Sequence, residues 1–175
     1  LNVDVFDGPF GSHLKTSDYV GRGIRVLRLE NIGYGCFIDE KQSFVSEAKY
    51  QEIKRHTVVP GDIVFSSFVT DAIRSALVPS HITFAVNKAD CFGVRFLGTT
   101  INQKFVQLFF NSRNAFKQVE SMIHGVGRPR INTLQLKEII VPICSRNEQD
   151  LIVERVESAF SEIDALEAAI DGDLL

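Results

Sequence analysis

Six apolar residues near the C-terminus, Ile152, Val156, Ala159, Ile163, Leu166 and Ile170, recur at intervals of four, three, four, three and four. Such intervals average three and a half residues, the repeat of a coiled-coil seam whose apolar knobs face a partner helix. The pattern restricts residues 145–175 to one long amphipathic helix. Its start is marked by Ser145 with Glu148 three residues on, a capping box that satisfies backbone N–H groups left free at a helix start. The stripe has two explanations: packing on the chain's own core, or docking against something outside it. What precedes the helix favours docking.

Residues 145–175 carry nine carboxylates against two arginines, a net of −7, whereas residues 1–144 carry 17 basic and 13 acidic side chains, a net of +4. The overall charge of −3 hides this asymmetry. A mildly basic body can meet phosphates; the acidic helix is repelled by them and needs another partner. At 175 residues the chain is one globular domain with an appendage, and its 45% apolar content, including 14 Phe, excludes a disordered chain. No apolar run approaches the length of a membrane span, so no membrane partner is expected. The start, Leu-Asn-Val-Asp rather than Met, predicts a fragment or a chain lacking its first residues. Cys36, Cys91 and Cys144 are odd in number, widely spaced and in apolar surroundings. They predict buried free thiols in a reducing cytoplasm rather than disulfides or a zinc site.

Along the chain, a turn cluster at Asp7-Gly8-Pro9-Phe10-Gly11-Ser12 precedes a strand over 24–29 and a loop over 31–35. Ser46 caps a helix predicted over 47–55, and Pro60-Gly61-Asp62 turns into a buried strand over 63–65. A polar loop over 66–74 leads to strands at 75–78, 85–86 and 91–96, the last two around an Asn87-Lys88-Ala89-Asp90 turn. Helical spacing of Phe105, Leu108, Phe109, Phe116 and Val119 follows, broken near Asn111-Ser112. After the basic loop His124 to Arg130, Thr133 is expected to cap a short helix, and 139–142 reads as a last strand. Strands before helices predict an α+β fold. The boundary falls between a body at 1–144 and the helix at 145–175.

Enzymatic motifs are sparse. The four histidines never take metal-ligand spacings, and neither a nucleophile-elbow nor a phosphate-loop motif is present. Gly125-Val126-Gly127 is followed by Arg-Pro rather than a helix, which fails the dinucleotide pattern. Asp39 with Glu52 and Lys54 resembles the acidic pair and lysine of Mg²⁺-dependent nucleases. Glu52 and Lys54 are two apart on a predicted helix, however, and so point in different directions. The loop His124 to Arg130 is the stronger candidate, because its glycines permit close approach and Arg128 and Arg130 flank a rigid proline. Lys15, Ser66, Ser67, Thr70 and Arg74 lie in other predicted loops of the basic body.

In order, Gly8-Pro9-Phe10-Gly11-Ser12 with Lys15 and Asp18-Tyr19, the run Gly23 to Gly33, and Pro60 to Ser66 form one pattern. Gly127-Arg128-Pro129-Arg130-Ile131-Asn132 with Leu136, Ile140-Val141-Pro142-Ile143, Glu148-Gln149, Ile152-Val153 and Ile163 to Glu167 complete it. The pattern resembles the target recognition domain of the DNA specificity subunit of type I restriction-modification enzymes, over nearly the whole length. Cys144 stands where the family often has a second proline, and the loop 67–74 lacks the usual glycine. The loop departure bears on which bases are read.

The resemblance implies a mixed-sheet DNA target recognition domain followed by a long C-terminal coiled-coil helix. It implies a non-catalytic reader of one half of a split site in double-stranded DNA; by their polar, loop-like setting in the part of net +4, Lys15, Ser66, Ser67, Thr70, Arg74, His124, Arg128 and Arg130 are the expected DNA-facing set. The seam would meet a second recognition domain's helix, or the same helix of another copy, and would receive methyltransferase and restriction/translocase subunits. S-adenosylmethionine, Mg²⁺ and ATP would belong to those partners, with no cofactor on this chain. Two alternatives from other classes are a DNA-acting nuclease or methyltransferase domain and a purely structural oligomerisation module.

Overall fold

The computed structural model describes residues 2–123 and 127–172. Two sheets, one facing helices and the other stacked behind it, make an α+β fold with a projecting terminal helix. The first sheet is antiparallel and joins β1 (Val3–Phe6), β9 (Cys91–Phe96), β6 (Ile63–Ser66) and β7 (Ser75–Leu77) in that order. The second is mixed and joins β2 (Tyr19–Val20), β4 (Ser43–Val45), β3 (Ile24–Leu27), β8 (Ala85–Asn87) and β5 (Thr57–Val58). Its β3 and β8 run parallel, with Leu27 opposite Asn87.

The continuous apolar run of β6 is explained by burial on both faces. Ile63 and Phe65 point into the main core with α2 (Gln103–Phe110) and α3 (Arg113–Glu120), where Phe65 meets Phe110 edge to face. Val64 points the other way, into a second core between the sheets with Leu27, Val58, Ala76 and Cys91. A third cluster, Leu14, Val26, Val45, Ile53 and Val86, is closed by α1 (Glu47–Ile53), capped by Ser46 as expected. The Pro60-Gly61-Asp62 turn is held because Asp62, nearly buried, accepts from the Val59 N–H (2.8 Å) and pairs with Arg95.

Several expectations are corrected. The short strands β1, β2, β4 and β5 carry no long alternating pattern, and their pairing is set by the neighbouring strands. The strand expected at 139–142 is irregular chain: the Gln118 side chain accepts from the Ile140 N–H (2.8 Å) and donates to its carbonyl (3.1 Å), taking the place of a partner strand. Asn132, not Thr133, caps α4 (Thr133–Lys137), accepting from the N–H groups of Leu134 and Gln135. Of the three cysteines only Cys91 is fully buried, and burial pushes its thiol up; Cys36 is exposed.

The terminal helix α5 (Arg146–Gly172) begins with the expected box: the Ser145 N–H donates to Glu148 at 3.0 Å, and the Glu148 N–H to Ser145 Oγ at 3.4 Å. Its root is fastened to the body through residues adjacent to the first seam positions. Gln149, fully buried, accepts from the Asn102 N–H (2.8 Å) and donates to the carbonyls of Cys144 (2.9 Å) and Thr100 (3.3 Å). Val153 joins the main core, Asp150 accepts from Asn102 Nδ2, and Glu157 pairs with Lys104 at 3.6 Å. Among the described residues no helix is long and apolar enough to cross a membrane.

Candidate nucleic-acid interface

The loop after β6 and the segment entering α4, far apart in sequence, are zipped into one ledge. The Val69 N–H donates to the Pro129 carbonyl and the Ile131 N–H to the Ser67 carbonyl, both at 3.0 Å, with Phe68 and Arg130 bridged between them. Gly127 enters the ledge at φ +84°, a left-handed conformation that glycine adopts without strain. Arg128 lies over the Phe68 ring, 5.6 Å from its centroid. A cation held by a ring face is positioned while its N–H donors stay free. Arg130, mostly exposed, faces Asp90 at 3.8 Å.

Asp90 is the hub of this region. It sits at φ 69°, a conformation that Asp tolerates better than bulkier residues. Its N–H donates to Asp7 Oδ1 (3.0 Å), its carbonyl accepts from the Ser67 N–H (2.9 Å), and its carboxylate accepts from the Ser67 hydroxyl (3.0 Å). Asp7 also accepts from the Gly8 N–H at 2.6 Å. Burial pushes the Asp7 carboxyl up to about 6, with the Asp90 charge adding to the rise and the two backbone donors opposing it. Gly8 is required by contact: a Cβ there would overlap the Lys88 carbonyl group. The Gly8-Pro9 motif thus supports the Lys88–Asp90 turn, which in turn holds Arg130.

The expected DNA-facing residues divide. Thr70, Arg128, Arg130 and Lys15 are exposed. Thr70 donates to Asp71 (2.8 Å), close to the exposed Tyr34, whose hydroxyl reaches the same carboxylate at 3.5 Å. Ser66 and Ser67 are buried and hydrogen-bonded inside the fold, so their side chains shape the ledge and do not face a ligand. Arg74 is half-buried and turned inward, donating to Ser66 Oγ (3.1 Å) and the Ile32 carbonyl (3.4 Å). His124, with Gly125 and Val126, lies outside the described residues. The sequence reading missed Phe68, Asp90, Arg28 and Lys88. An arginine after a strand and a lysine in a turn carry no local signal until the two strands are known to be parallel neighbours.

The nuclease-like set does not converge. Asp39 is paired with Arg25 (2.6 Å) and His81 (3.0 Å), Glu52 with Lys49 (2.7 Å), and Lys54 reaches Gln51 at 3.4 Å. Among the described residues no group of three or more His, Cys, Asp or Glu side chains is placed to hold a metal ion.

The seam starts beside Gln149 and Val153, where α5 still lies on the body, and continues onto the projecting part of the helix. Ile152 and Val156 border an apolar groove of about 480 Å³ with Phe105, Leu108, Phe109 and Ile143. Beyond it Ala159 is exposed, and Ile163, Leu166 and Ile170 are 49%, 64% and 62% exposed, with Phe160 beside them at 56%.

No protein-family model matches the chain. The MjaVIII specificity subunit of a type I restriction enzyme from Methanocaldococcus jannaschii is 23% identical over 158 residues, which are 89% of this chain and 37% of that subunit. The chain resembles a type I specificity subunit. A chain from a solved type I restriction-modification complex superposes with a TM-score of 0.69 at 13% identity, covering 96% of this chain and 38% of that one. At that identity the superposition shows the shared fold, projecting helix included. The chain spans a little over a third of the length of the specificity subunit it matches.

Proposed function

We propose that the chain is a sequence-specific, non-catalytic DNA reader, the recognition domain and assembly helix of a type I specificity subunit. One observation carries this reading. The ledge that displays Arg128 and Arg130 is built on a body of net +4, while an apolar stripe stands bare on a helix of net −7. Phosphates favour the first surface and are repelled by the second.

In this reading residues 1–144 read one half of a split double-stranded site in the cytoplasm. Residues 145–175 join a second recognition domain's helix, or another copy's, and receive methyltransferase and restriction/translocase subunits. Those partners bring S-adenosylmethionine, Mg²⁺ and ATP. Arg128 and Arg130 have the donor geometry for guanine edges, and a bidentate contact of that kind contributes about 1–3 kcal/mol of base discrimination. The test is binding and methylation by the assembled enzyme carrying Arg128→Ala and Arg130→Ala. Reduced site preference supports the reading; unchanged affinity and preference in both variants contradict it. Incubating the pure chain with DNA and either Mg²⁺ or S-adenosylmethionine should give neither cleavage nor methyl transfer. Activity lost in Glu52→Ala would favour the nuclease alternative.

A further inference from the structure

The parallel pair β3–β8 brings two strand ends out at one place. With Leu27 opposite Asn87, and the Lys88 N–H donating to the Leu27 carbonyl at 2.8 Å, Arg28 and Lys88 leave the sheet side by side. The carboxyl ends of parallel strands are where open sheets hold ligands, since the departing chains leave a crevice there. Both cations are fixed from beneath by one ring: the Arg28 guanidinium stands 5.9 Å and the Lys88 ammonium 5.7 Å from the Tyr19 centroid. Lys88 also donates to the Leu14 carbonyl at 3.1 Å.

These side chains line an open concavity of about 340 Å³ whose opposite wall is Phe68 and Arg128. Two carboxylates border it as well. Glu30 pairs with Arg28 at 3.3 Å, and Asp90 is engaged by Arg130 and Ser67. Among the described residues no carboxylate lies within ion-pair distance of Lys88 or Arg128. Like charges crowded in a half-buried crevice repel one another until an anion enters. Burial and the nearby Arg28 accordingly push the Lys88 ammonium down from the ordinary lysine range.

We propose that Arg28 and Lys88 clamp one DNA backbone phosphate at the ends of β3 and β8, a contact indifferent to sequence that sets the register in which Arg128 meets the bases. This rests on the DNA-reading function above. Phosphate fits better than a base edge, because two cations converge on one spot, Lys88 is a point charge on a rigid turn, and Arg28 Nη1 is already held by Glu30, which leaves its Nε and Nη2 to face phosphate oxygens. The position also explains Gly8, since any side chain there would displace Lys88.

The test is affinity for a random-sequence duplex measured against salt concentration, using the full chain and its Arg28→Gln and Lys88→Gln variants. Losing one phosphate contact lowers the slope of log affinity against log salt by about 0.9, which is about eightfold in affinity at 0.1 M when referred to 1 M. Each variant should lose slope and affinity while keeping the base preference recovered from the random pool; Lys88→Arg should restore the slope, which a merely misfolded variant would not allow. An unchanged slope, or an altered base preference, overturns the clamp. Inorganic phosphate titrated against ¹⁵N-labelled chain separates the two levels. Phosphate-dependent shifts at Arg28 and Lys88 in a chain that binds no duplex would refute DNA reading and keep the anion site. Duplex binding with neither slope change nor phosphate shifts would do the reverse.

Discussion

At Gly8, the first residue of the turn motif after β1, the space for a side chain is already filled by the Lys88 carbonyl. Gly8→Ala must therefore push the Lys88–Asp90 turn outward, at the scale of an overpacked core, about 1–3 kcal/mol. The expected result is a lower melting temperature together with weaker DNA binding; an unchanged melt would show that the turn yields freely. Asp7 makes a prediction in pH. Its carboxyl, ordinarily at 3.8, is raised to about 6 by burial in the folded chain. Between those values the folded state holds a proton that the unfolded state has lost, so this group adds stability as pH falls from about 6 to 4. Asp7→Asn removes that dependence. Melting curves from pH 4 to 8 should show the variant gaining on the parent toward neutral pH and the difference closing in acid; a constant difference contradicts the assignment. That Arg128 and Arg130 are exposed together was legible in the sequence, because alternation across a proline is a local property. Arg28 and Lys88 were not, because their adjacency is created by the parallel register of two strands almost sixty residues apart. Ser66, Ser67 and Arg74 were misread for the converse reason: polar side chains in a loop look alike whether they face water or each other.

At the level of elements, α5 divides along its length into a root packed on the body and an outer part left bare. Its root is locked by Gln149, whose amide satisfies three backbone groups of the body, and its outer part carries the exposed stripe. Gln149→Ala strands those buried groups and should lower stability by about 1–3 kcal/mol. The pair Ile163→Asp and Leu166→Asp should leave the melting temperature of the body unchanged, yet abolish self-association in sedimentation and co-purification with a methyltransferase subunit. A double variant that still assembles, or one that unfolds the body, contradicts an assembly role for the stripe. The helix was readable in advance, from its length to its Ser145 cap, since periodicity and capping depend only on nearby residues. The root face was not, because a lone Gln149 and Val153 gain meaning only when Thr100 to Asn102 are packed against them. The apolar run 139–142 shows the same limit. Its composition suits a strand, but Gln118 supplies the partner groups that a strand would need.

The whole molecule separates a basic body from an acidic, apolar-striped helix, and the fold it shares with a type I restriction-modification chain includes both parts. The α+β class was apparent from the order of strands and helices; the two-sheet arrangement was not, since strands of two or three residues leave almost no pattern to read. The central claim is that this chain reads DNA sequence through the ledge of Arg128 and Arg130. Selection of bound duplexes from a random-sequence pool, followed by sequencing, measures this directly. The parent chain, assembled with its partner subunits, should enrich a short motif, and Arg128→Ala or Arg130→Ala should relax preference at individual positions of that motif. Enrichment of no motif, or of one that survives both substitutions unchanged, would contradict the account.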